Sequence, residues 1–303
     1  MASHLAHLVS NKLVDPPKWL VSNEIYEAQI GSVAYGCSSD TSDMDIIGIC
    51  IPHKEDIFPH LRGEIPDFGT QKQRFGEWEK QHVKNPDALG GYGREYDFKI
   101  YNIIKFFHLG MQCNANFIDA LFVPRTCLLY CNSVGEIIRE NRKIFLSKKA
   151  WHSFKGYAYG QMSDIKKNKT KNSEKRKHLI AQFGYDVKFA YHVVRLLDEV
   201  DQILTLGDLD IQRSREQMKA IRAGEWTLNE ISEYFTMREK ELEKVYAESK
   251  LPYYPDEEGI KRVLLQCLEH HYGSLAECLN TGYELTKDLT EIENIVARIR
   301  KNI

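Results

Sequence analysis

The sequence predicts an α+β fold in which a small mixed sheet with helices is followed by an all-helical lobe. Segments 24–30, 43–51 and 95–101 have the β-branched or alternating pattern of strands. Most of the chain beyond about residue 102 has apolar residues at helical spacing instead. Because strands precede helices, we predict a sheet-containing domain at 1–145 and a helical domain at 146–303.

The composition is typical of a globular protein. The chain has 303 residues, of which 43% are hydrophobic and 28% are charged, and its formal net charge is -2. A net charge of -2 does not attract nucleic acid to the surface as a whole, so binding of nucleic acid would require a local basic patch. No run of eighteen apolar residues and no secretion-signal pattern are visible. The seven cysteines are irregularly spaced and form no CxxC pair, which favours free thiols, so we expect a cytoplasmic protein without a membrane span.

The predicted strands end at residues that stop or turn a chain. Segment 24–30 runs into Gly31, and segment 43–51 ends at Pro52. Segment 95–101 places Glu95 and Asp97 on one face and apolar residues on the other. The Gly-rich polar stretch 61–94 is predicted to be an excursion with one or two short strands.

The helical pattern is interrupted by recognisable helix starts and stops. Ser133 with Glu136, and Thr227 with Glu230, have the spacing of a capping box. The remaining helices are expected near 102–112, 116–122, 147–166, 176–204 and 256–280, with a short one at the end of the chain.

Asp43 and Asp45 form the most informative pair of residues. Side chains two apart on a strand point to the same side, so these carboxylates are expected close together. Two such charges repel each other, and a divalent cation between them reverses the sign of that interaction. Mg²⁺ binds few carboxylates and leaves positions for phosphate oxygens, as phosphoryl transfer requires.

Gly31 and Ser32 precede this strand and form a candidate phosphate cradle. A glycine permits close approach of the backbone, and the N–H groups and hydroxyl of the following turn are donors for a phosphate. Gly36 then allows the chain to turn back towards the aspartates. The order strand, Gly-Ser, turn and Asp-x-Asp strand predicts a phosphate site beside a metal site.

Gly31-Ser32 followed by Ser42-Asp43-Met44-Asp45 resembles the signature of the DNA polymerase β nucleotidyltransferase superfamily. The fuller run also includes Ala34-Tyr35-Gly36 and Gly48. It resembles a phage and bacterial branch of predicted nucleotidyltransferases associated with RNA repair. The resemblance implies that Gly31 and Ser32 hold the β- and γ-phosphates of a nucleoside triphosphate (NTP). It also implies that Asp43 and Asp45 bind two divalent ions, Mg²⁺ or Mn²⁺.

The resemblance also implies a third metal-binding carboxylate, for which Glu95 and Asp97 are both candidates. We favour Asp97, because the passage from it through Lys105-Phe106 to Asn114-Ala115-Asn116 is similar to the family's. The family's turn reads Asn-Pro-Asn, so Ala115 is a departure, which loosens a turn without removing chemistry. A solvated strand residue is the alternative interpretation of Asp97.

Lys188, His192 and Arg195 share one stripe of a predicted helix. The stripe alone fits a phosphate-binding face and a solvated face balanced by Asp186 or Glu199 equally well. The family has a similar helix, matched here by Tyr185, Asp186, Lys188, Ala190, His192, Arg195, Leu196 and Leu197. We therefore expect the three basic residues to contact the nucleotide phosphates or the acceptor, while His192 has a core histidine as its alternative.

One concentrated basic block, Lys166 to Lys177, lies between two predicted helices. Such blocks are usually solvated loops, but this one also suits RNA or a nucleotide as a partner. The resemblance thus implies transfer of a nucleoside monophosphate to an acceptor hydroxyl, with RNA among the acceptors. The alternatives are a protein or small-molecule acceptor, a non-catalytic nucleotide- or RNA-binding protein on this fold, and a toxin or antitoxin partner. The sequence does not specify the base or the oligomeric state.

Overall fold

The computed structural model describes residues 2–38, 43–167, 174–276, 278 and 283–301, and these contain one mixed sheet of five strands. The strands are β1 (Glu24–Ile30), β2 (Met44–Cys50), β3 (Glu77–Asn85), β4 (Arg94–Asn102) and β5 (Leu128–Cys131). Their order across the sheet is β3-β4-β2-β1-β5. β2 and β4 are parallel and the other neighbours are antiparallel. Because β2 and β4 are parallel, residues near their N-terminal ends lie next to each other at the same end of the two strands.

Helices before and around the sheet are short, and those of the second half are long. The shorter ones are α1 (His4–Ser10), α2 (Lys18–Ser22), α3 (Gly31–Ala34), α4 (Lys54–Ile57), α5 (Ala88–Gly91), α6 (Ile103–Met111), α7 (Ala115–Phe122) and α8 (Ser133–Glu140). The second half contains α9 (Lys149–Lys166), α10 (Glu174–Phe183), α11 (Val187–Leu206), α12 (Arg215–Arg222), α13 (Leu228–Glu248), α14 (Glu257–Tyr272) and α15 (Tyr283–Lys301). None of the helices in the described parts of the chain has the length and apolar character needed to cross a membrane.

Apolar side chains are buried on both faces of the sheet. Ile46 and Phe98 pack with Leu5, Leu8 and other N-terminal residues on one face. Ile47 and Ile49 belong to the larger core on the other face, which continues through α6 and α7 into α9 and α11. This mixed α+β architecture agrees with the predicted fold class. The domain boundary near residue 145 stays a prediction.

The three predicted strands are present, but the stretch 61–94 contains a longer strand than expected. β3 has nine residues and pairs with β4 along the edge of the sheet. Its sequence, EWEKQHVKN, is almost entirely polar after Trp78, because an edge strand exposes most of its side chains to water. Periodicity of apolar residues therefore gave no indication of it.

Several helix boundaries differ from the prediction: the helix expected at 256–280 ends at Tyr272, and the terminal helix has 19 residues and is not short. The predicted helix 176–204 is two helices, since Gly184 has φ +81° and Asp186 caps α11 by accepting the Lys188 N–H at 2.9 Å. The capping box at Ser133 is wrong: Asn132 caps α8, and Glu136 pairs with Arg125 instead. Thr227 and Glu230 do form a capping box at the start of α13.

Candidate active site at the parallel strands

Asp45 and Asp97 are direct partners in the register of the two parallel strands β2 and β4. Both residues are half-buried and lie near the N-terminal ends of these two strands. Asp43 is exposed just before β2 begins, and Ser42 lies outside the described residues. Both Asp43 and Asp97 are close enough to raise the pKa of Asp45 by charge repulsion. The structure therefore brings Asp45 and Asp97 together on neighbouring strands, with Asp43 within electrostatic range of Asp45.

The Gly31 turn lies against Asp45. Ile30, the last residue of β1, pairs with Asp45 across the sheet, and the one-turn helix α3 begins at the next residue. A Cβ atom added to Gly31 would lie 2.5 Å from the Asp45 Oδ2 atom. Gly31 has φ +72° and Gly36 has φ +69°, so the turn uses a left-handed backbone at both ends. Ser32 follows Gly31 within this turn and is half-buried.

Burial and like charge together act on Asp45. Loss of solvent around the carboxyl raises its pKa to about 6, while the Lys188 ammonium acts in the opposite direction. The charges of Asp97 and Asp43 add to the increase. A cation placed among these three carboxylates would relieve that repulsion, so the donor set fits a divalent ion that prefers oxygen ligands.

Lys188 lies within electrostatic range of the carboxylates and of two further cations. Lys188 as a whole is exposed. The protein around its ammonium group nevertheless removes part of the solvent there, which lowers the pKa of Lys188. Arg176 and Arg222 lower that pKa further, whereas Asp45 and Asp43 raise it. Arg222 also reaches Cys37, just beyond the Gly31 turn. The three cations would attract phosphate groups. A metal ion held by the carboxylates would offset the repulsion between carboxylate and phosphate.

His192 lies on α11 four residues after Lys188 and is half-buried. Burial lowers its pKa well below the usual range, and Arg195, Lys188, Arg176 and Arg222 lower it further. The imidazole is therefore neutral near pH 7. Its buried Nδ1 atom has no hydrogen-bond partner among the described residues. Contact between this neutral ring and a nucleotide stays a prediction.

Arg195 does not face the site, and the expectation of a direct phosphate contact needs correction. Its side chain is 1% exposed and binds Glu199 at 2.9 Å and Asp119 in a shorter contact. Tyr35 donates its hydroxyl hydrogen to Asp119 at 2.7 Å, and its ring lies 4.3 Å from the guanidinium carbon. This network joins α11, α7 and the turn after Gly31. A bond from Arg195 to phosphate would require breaking buried ion pairs. Arg195 instead stabilises the turn after Gly31 through its contacts with Tyr35 and Asp119.

His82 is a residue at the site that the sequence analysis missed. Its backbone N–H donates to Asp97 Oδ1 at 2.7 Å, and its ring Nδ1 lies 2.5 Å from Glu95 Oε1. It belongs to β3, the strand that the polar pattern concealed, and no motif marks it. Glu95, the alternative third carboxylate, faces His82, whereas Asp97 is the direct partner of Asp45.

The basic block is only partly described. Lys166 and Lys167 end α9, and Arg176 and Lys177 lie in α10. Arg176 pairs with Asp186 at 3.2 Å and is one of the cations near Lys188. The remaining lysines, Lys169, Lys171 and Lys175, lie outside the described residues or have side chains outside them.

The mixed sheet, the Gly-Ser turn and the adjacent carboxylates are typical of the nucleotidyltransferase class of transferases. Residues 8–254 match the family described as RlaP, the RNA repair pathway DNA polymerase beta family. That match spans more than half of the chain, so the protein belongs to this family and is a polymerase β-like nucleotidyltransferase.

The other comparisons add little to this assignment. A solved nucleotidyltransferase-like protein from Exiguobacterium sibiricum is 8% identical to the chain, with coverage of 97% of this chain and 89% of that one. The TM-score is 0.28, which is too low to support a functional argument. No curated protein matches the chain.

Proposed function

We propose that the protein transfers a nucleoside monophosphate from an NTP to an acceptor hydroxyl, with RNA as the favoured acceptor. The acceptor oxygen forms a bond to the α-phosphorus, the bond to the β-phosphate bridging oxygen breaks, and pyrophosphate leaves. The hydroxyl proton passes to the Asp97 carboxylate. The observation that supports this proposal is the register of Asp45 with Asp97 beside Gly31, which brings two carboxylates next to a glycine turn of a kind suited to phosphate.

Asp43, Asp45 and Asp97 would hold Mg²⁺ or Mn²⁺. The fit rests on their donor chemistry, because three neighbouring carboxylates repel one another without a cation. When bound, the metal neutralises charge on the triphosphate and lowers the pKa of the acceptor hydroxyl. The residues around the metal and the triphosphate then have to orient the α-phosphorus in line with that hydroxyl.

The NTP phosphates would bind between the Gly31 turn and the cation cluster. Gly31 and Ser32 begin the one-turn helix α3, whose first N–H groups and Ser32 hydroxyl are donors for a phosphate, and Lys188 supplies a positive charge within electrostatic range of Asp45 and Asp43. Arg222 joins this set because it lies near both Lys188 and Cys37. His192 is neutral and donates at most one hydrogen bond there. Arg195 keeps the turn in place through Tyr35.

RNA is favoured as the acceptor for two reasons. The family is described by an RNA repair pathway, and Arg176 in the basic block lies beside the cation cluster. A chain of phosphates leading from the block to the carboxylates would meet positive charge along its path. A protein or a small molecule as the acceptor, and non-catalytic nucleotide or RNA binding, are the other outcomes of the test.

The test is a labelling assay with each α-³²P-NTP, Mg²⁺ or Mn²⁺, and separate pools of RNA, protein and metabolites. We expect label in RNA with the native chain and none with Asp45→Asn or Asp43→Ala. Asp67→Asn is the matched control, since Asp67 is exposed, lies outside the site and has a left-handed φ of +64° that Asn tolerates. Label in another pool changes the acceptor. Near-native rates in Asp45→Asn, or binding without a divalent ion that survives Asp43→Asn, would contradict the enzyme mechanism.

A further inference from the structure

His82 lies at an irregularity of the edge strand β3. The pairing of β3 with β4 shifts in register between Lys80 and Val83, and His82 has a left-handed φ of +58°. A bulge of this kind changes the direction of a side chain relative to a regular strand. Here the His82 N–H donates to Asp97 Oδ1 at 2.7 Å, and the imidazole lies beside Glu95.

Three potential metal ligands therefore converge from two strands. One atom each from the His82 ring, Glu95 and Asp97 lie within 4.8 Å of one another. Within the described ranges this is the one group of three or more His, Cys, Asp or Glu residues with such a geometry. It is not a purely acidic cluster, because one donor is an imidazole nitrogen.

We propose that His82, Glu95 and Asp97 form a second divalent-cation site of mixed nitrogen and oxygen donors, which favours a Mn²⁺-type transition ion over Mg²⁺. The site adjoins the Asp43–Asp45 pair and shares Asp97 with it. The inference rests on the proposed function only in this shared ligand, and the new assignment is the participation of His82 and Glu95.

The distances require only small side-chain movements. Two ligands of one ion at about 2.1 Å lie at most about 4.2 Å apart. The separations here, all within 4.8 Å, exceed that limit by at most about 0.6 Å, and rotation of exposed side chains can remove such an excess. The His82 side chain is 72% exposed and that of Glu95 is 28% exposed, so both have room to turn towards an ion. Asp97 is fixed by the His82 N–H, but a carboxylate has about four lone-pair positions and retains others for a metal.

The surroundings favour a cation, and the donor set determines which one. The His82 ring pairs with Glu95 at 2.5 Å, and the charges of Asp97 and Asp43 also act on it. Imidazole suits first-row transition ions, whereas Mg²⁺ prefers oxygen ligands and retains its waters. A site with one imidazole and two carboxylates is therefore expected to bind Mn²⁺ more tightly than Mg²⁺. It would also give the protein a different response to the two ions from that of an all-carboxylate centre.

The experiment is a Mn²⁺ titration of the full chain without nucleotide. Free Mn²⁺ is measured by electron paramagnetic resonance, and broadening of histidine ring signals is followed by NMR. His82→Asn removes the imidazole but keeps the backbone N–H and tolerates a positive φ. His152→Asn is the matched control, because His152 is an exposed histidine on α9, away from the sheet.

We expect the His82 signals to broaden first in the native chain, and Mn²⁺ affinity to fall at least about tenfold in His82→Asn and in Glu95→Gln. The His152→Asn variant should keep native affinity. Unchanged Mn²⁺ affinity in His82→Asn, or an equal loss in His152→Asn, would overturn the proposal. So would Mg²⁺ displacing Mn²⁺ as readily from the native chain as from His82→Asn. The titration measures Mn²⁺ binding without turnover, so a negative result overturns only the His82 site. The proposed transferase function is overturned by a different result, namely transfer that persists in Asp45→Asn.

Discussion

The Asp45 carboxylate occupies the space that a side chain on residue 31 would need. A Cβ atom at Gly31 would lie 2.5 Å from Asp45 Oδ2, and Gly31 also has φ +72°. Two independent requirements thus select glycine, one for backbone conformation and one for close approach. The glycine turn and the Asp45 carboxylate consequently form one unit, and a change in one displaces the other.

Gly31→Ala tests that relationship. We expect at least about a 100-fold loss of nucleotidyl transfer, because either Asp45 or the turn must move away from the arrangement that positions phosphate and metal. Gly63→Ala is the control: Gly63 also has a positive φ, of +76°, but its Cβ would meet nothing within 4 Å. Both variants pay a similar backbone cost, so transfer assays and thermal unfolding together separate strain from the clash. Equal activity losses would show that the Asp45 contact is unimportant.

Asp97→Asn should reduce transfer more than Glu95→Gln. Asp97 is the direct partner of Asp45, so its substitution would remove the proposed third metal ligand and the proposed proton acceptor. We expect at least about a 100-fold lower rate for Asp97→Asn, and no more than about tenfold for Glu95→Gln at saturating Mn²⁺. Initial rates at several metal concentrations provide the measurement. The opposite ranking would make Glu95 the third carboxylate of the catalytic centre.

Lys188→Gln should weaken NTP binding. The substitution removes a charge that interacts electrostatically with Asp45, Arg176 and Arg222. One lost charge-assisted bond to phosphate corresponds to about a tenfold higher KM for the NTP, with a smaller change in kcat. Lys261→Gln is the control, since Lys261 is exposed on α14 and pairs with Glu258. An unchanged KM in Lys188→Gln would remove this residue from the nucleotide site.

Asp119→Ala should destabilise the fold. Arg195 is buried with Asp119 and Glu199, and loss of one partner leaves the guanidinium poorly compensated. We expect the free energy of unfolding to fall by about 3–5 kcal/mol, measured by denaturant titration. Glu136→Ala breaks the exposed pair with Arg125 and should cost less than about 1 kcal/mol. Similar losses in both variants would contradict the assignment of Arg195 to a supporting role.

The parts of the site that the sequence predicted depend on local patterns. Gly31, Asp43 and Asp45 lie within fifteen residues, and the alternation of strand residues predicts both aspartates on one side, although β2 begins only at Met44. Asp97 required the resemblance to a family, because the pairing of β2 with β4 is a long-range relationship. The strands themselves were predictable where one face is apolar, as in β4.

The parts that were not predicted depend on tertiary contacts. His82 reaches the carboxylates through a bulge in a polar edge strand, and no spacing in the sequence indicates that bulge. Arg195 lies on the same helical stripe as Lys188, but Asp119 of α7 pairs with it in the interior. Helical spacing predicts which residues share a face; it does not predict whether an acidic residue from another helix covers that face.

The last prediction concerns a buried acidic pair beneath the N-terminal helix. Glu27 is fully buried on β1 and accepts the N–H groups of His4 and Leu5 at 2.6 and 2.9 Å. Burial raises its pKa to about 7. Glu24 is also buried; burial raises its pKa well above the usual range, and the charge of Glu27 adds to that increase. The folded state therefore holds protons on these groups more tightly than the unfolded chain does.

Stability should consequently decrease as the pH rises from 5 to 8. For Glu27, a change in pKa from 4.5 to about 7 corresponds to about 3 kcal/mol of stability that is present below pH 4.5 and lost by pH 7. Glu24→Gln replaces one acid with a neutral side chain of the same shape, so it should stabilise the protein at pH 8 and change little at pH 5. Urea titrations at both pH values measure this difference. Glu136→Gln is the control, because Arg125 lowers the pKa of Glu136 and no loss of stability with rising pH is expected from it. If Glu24→Gln had the same effect at both pH values, proton binding by the buried pair would not govern stability in this range.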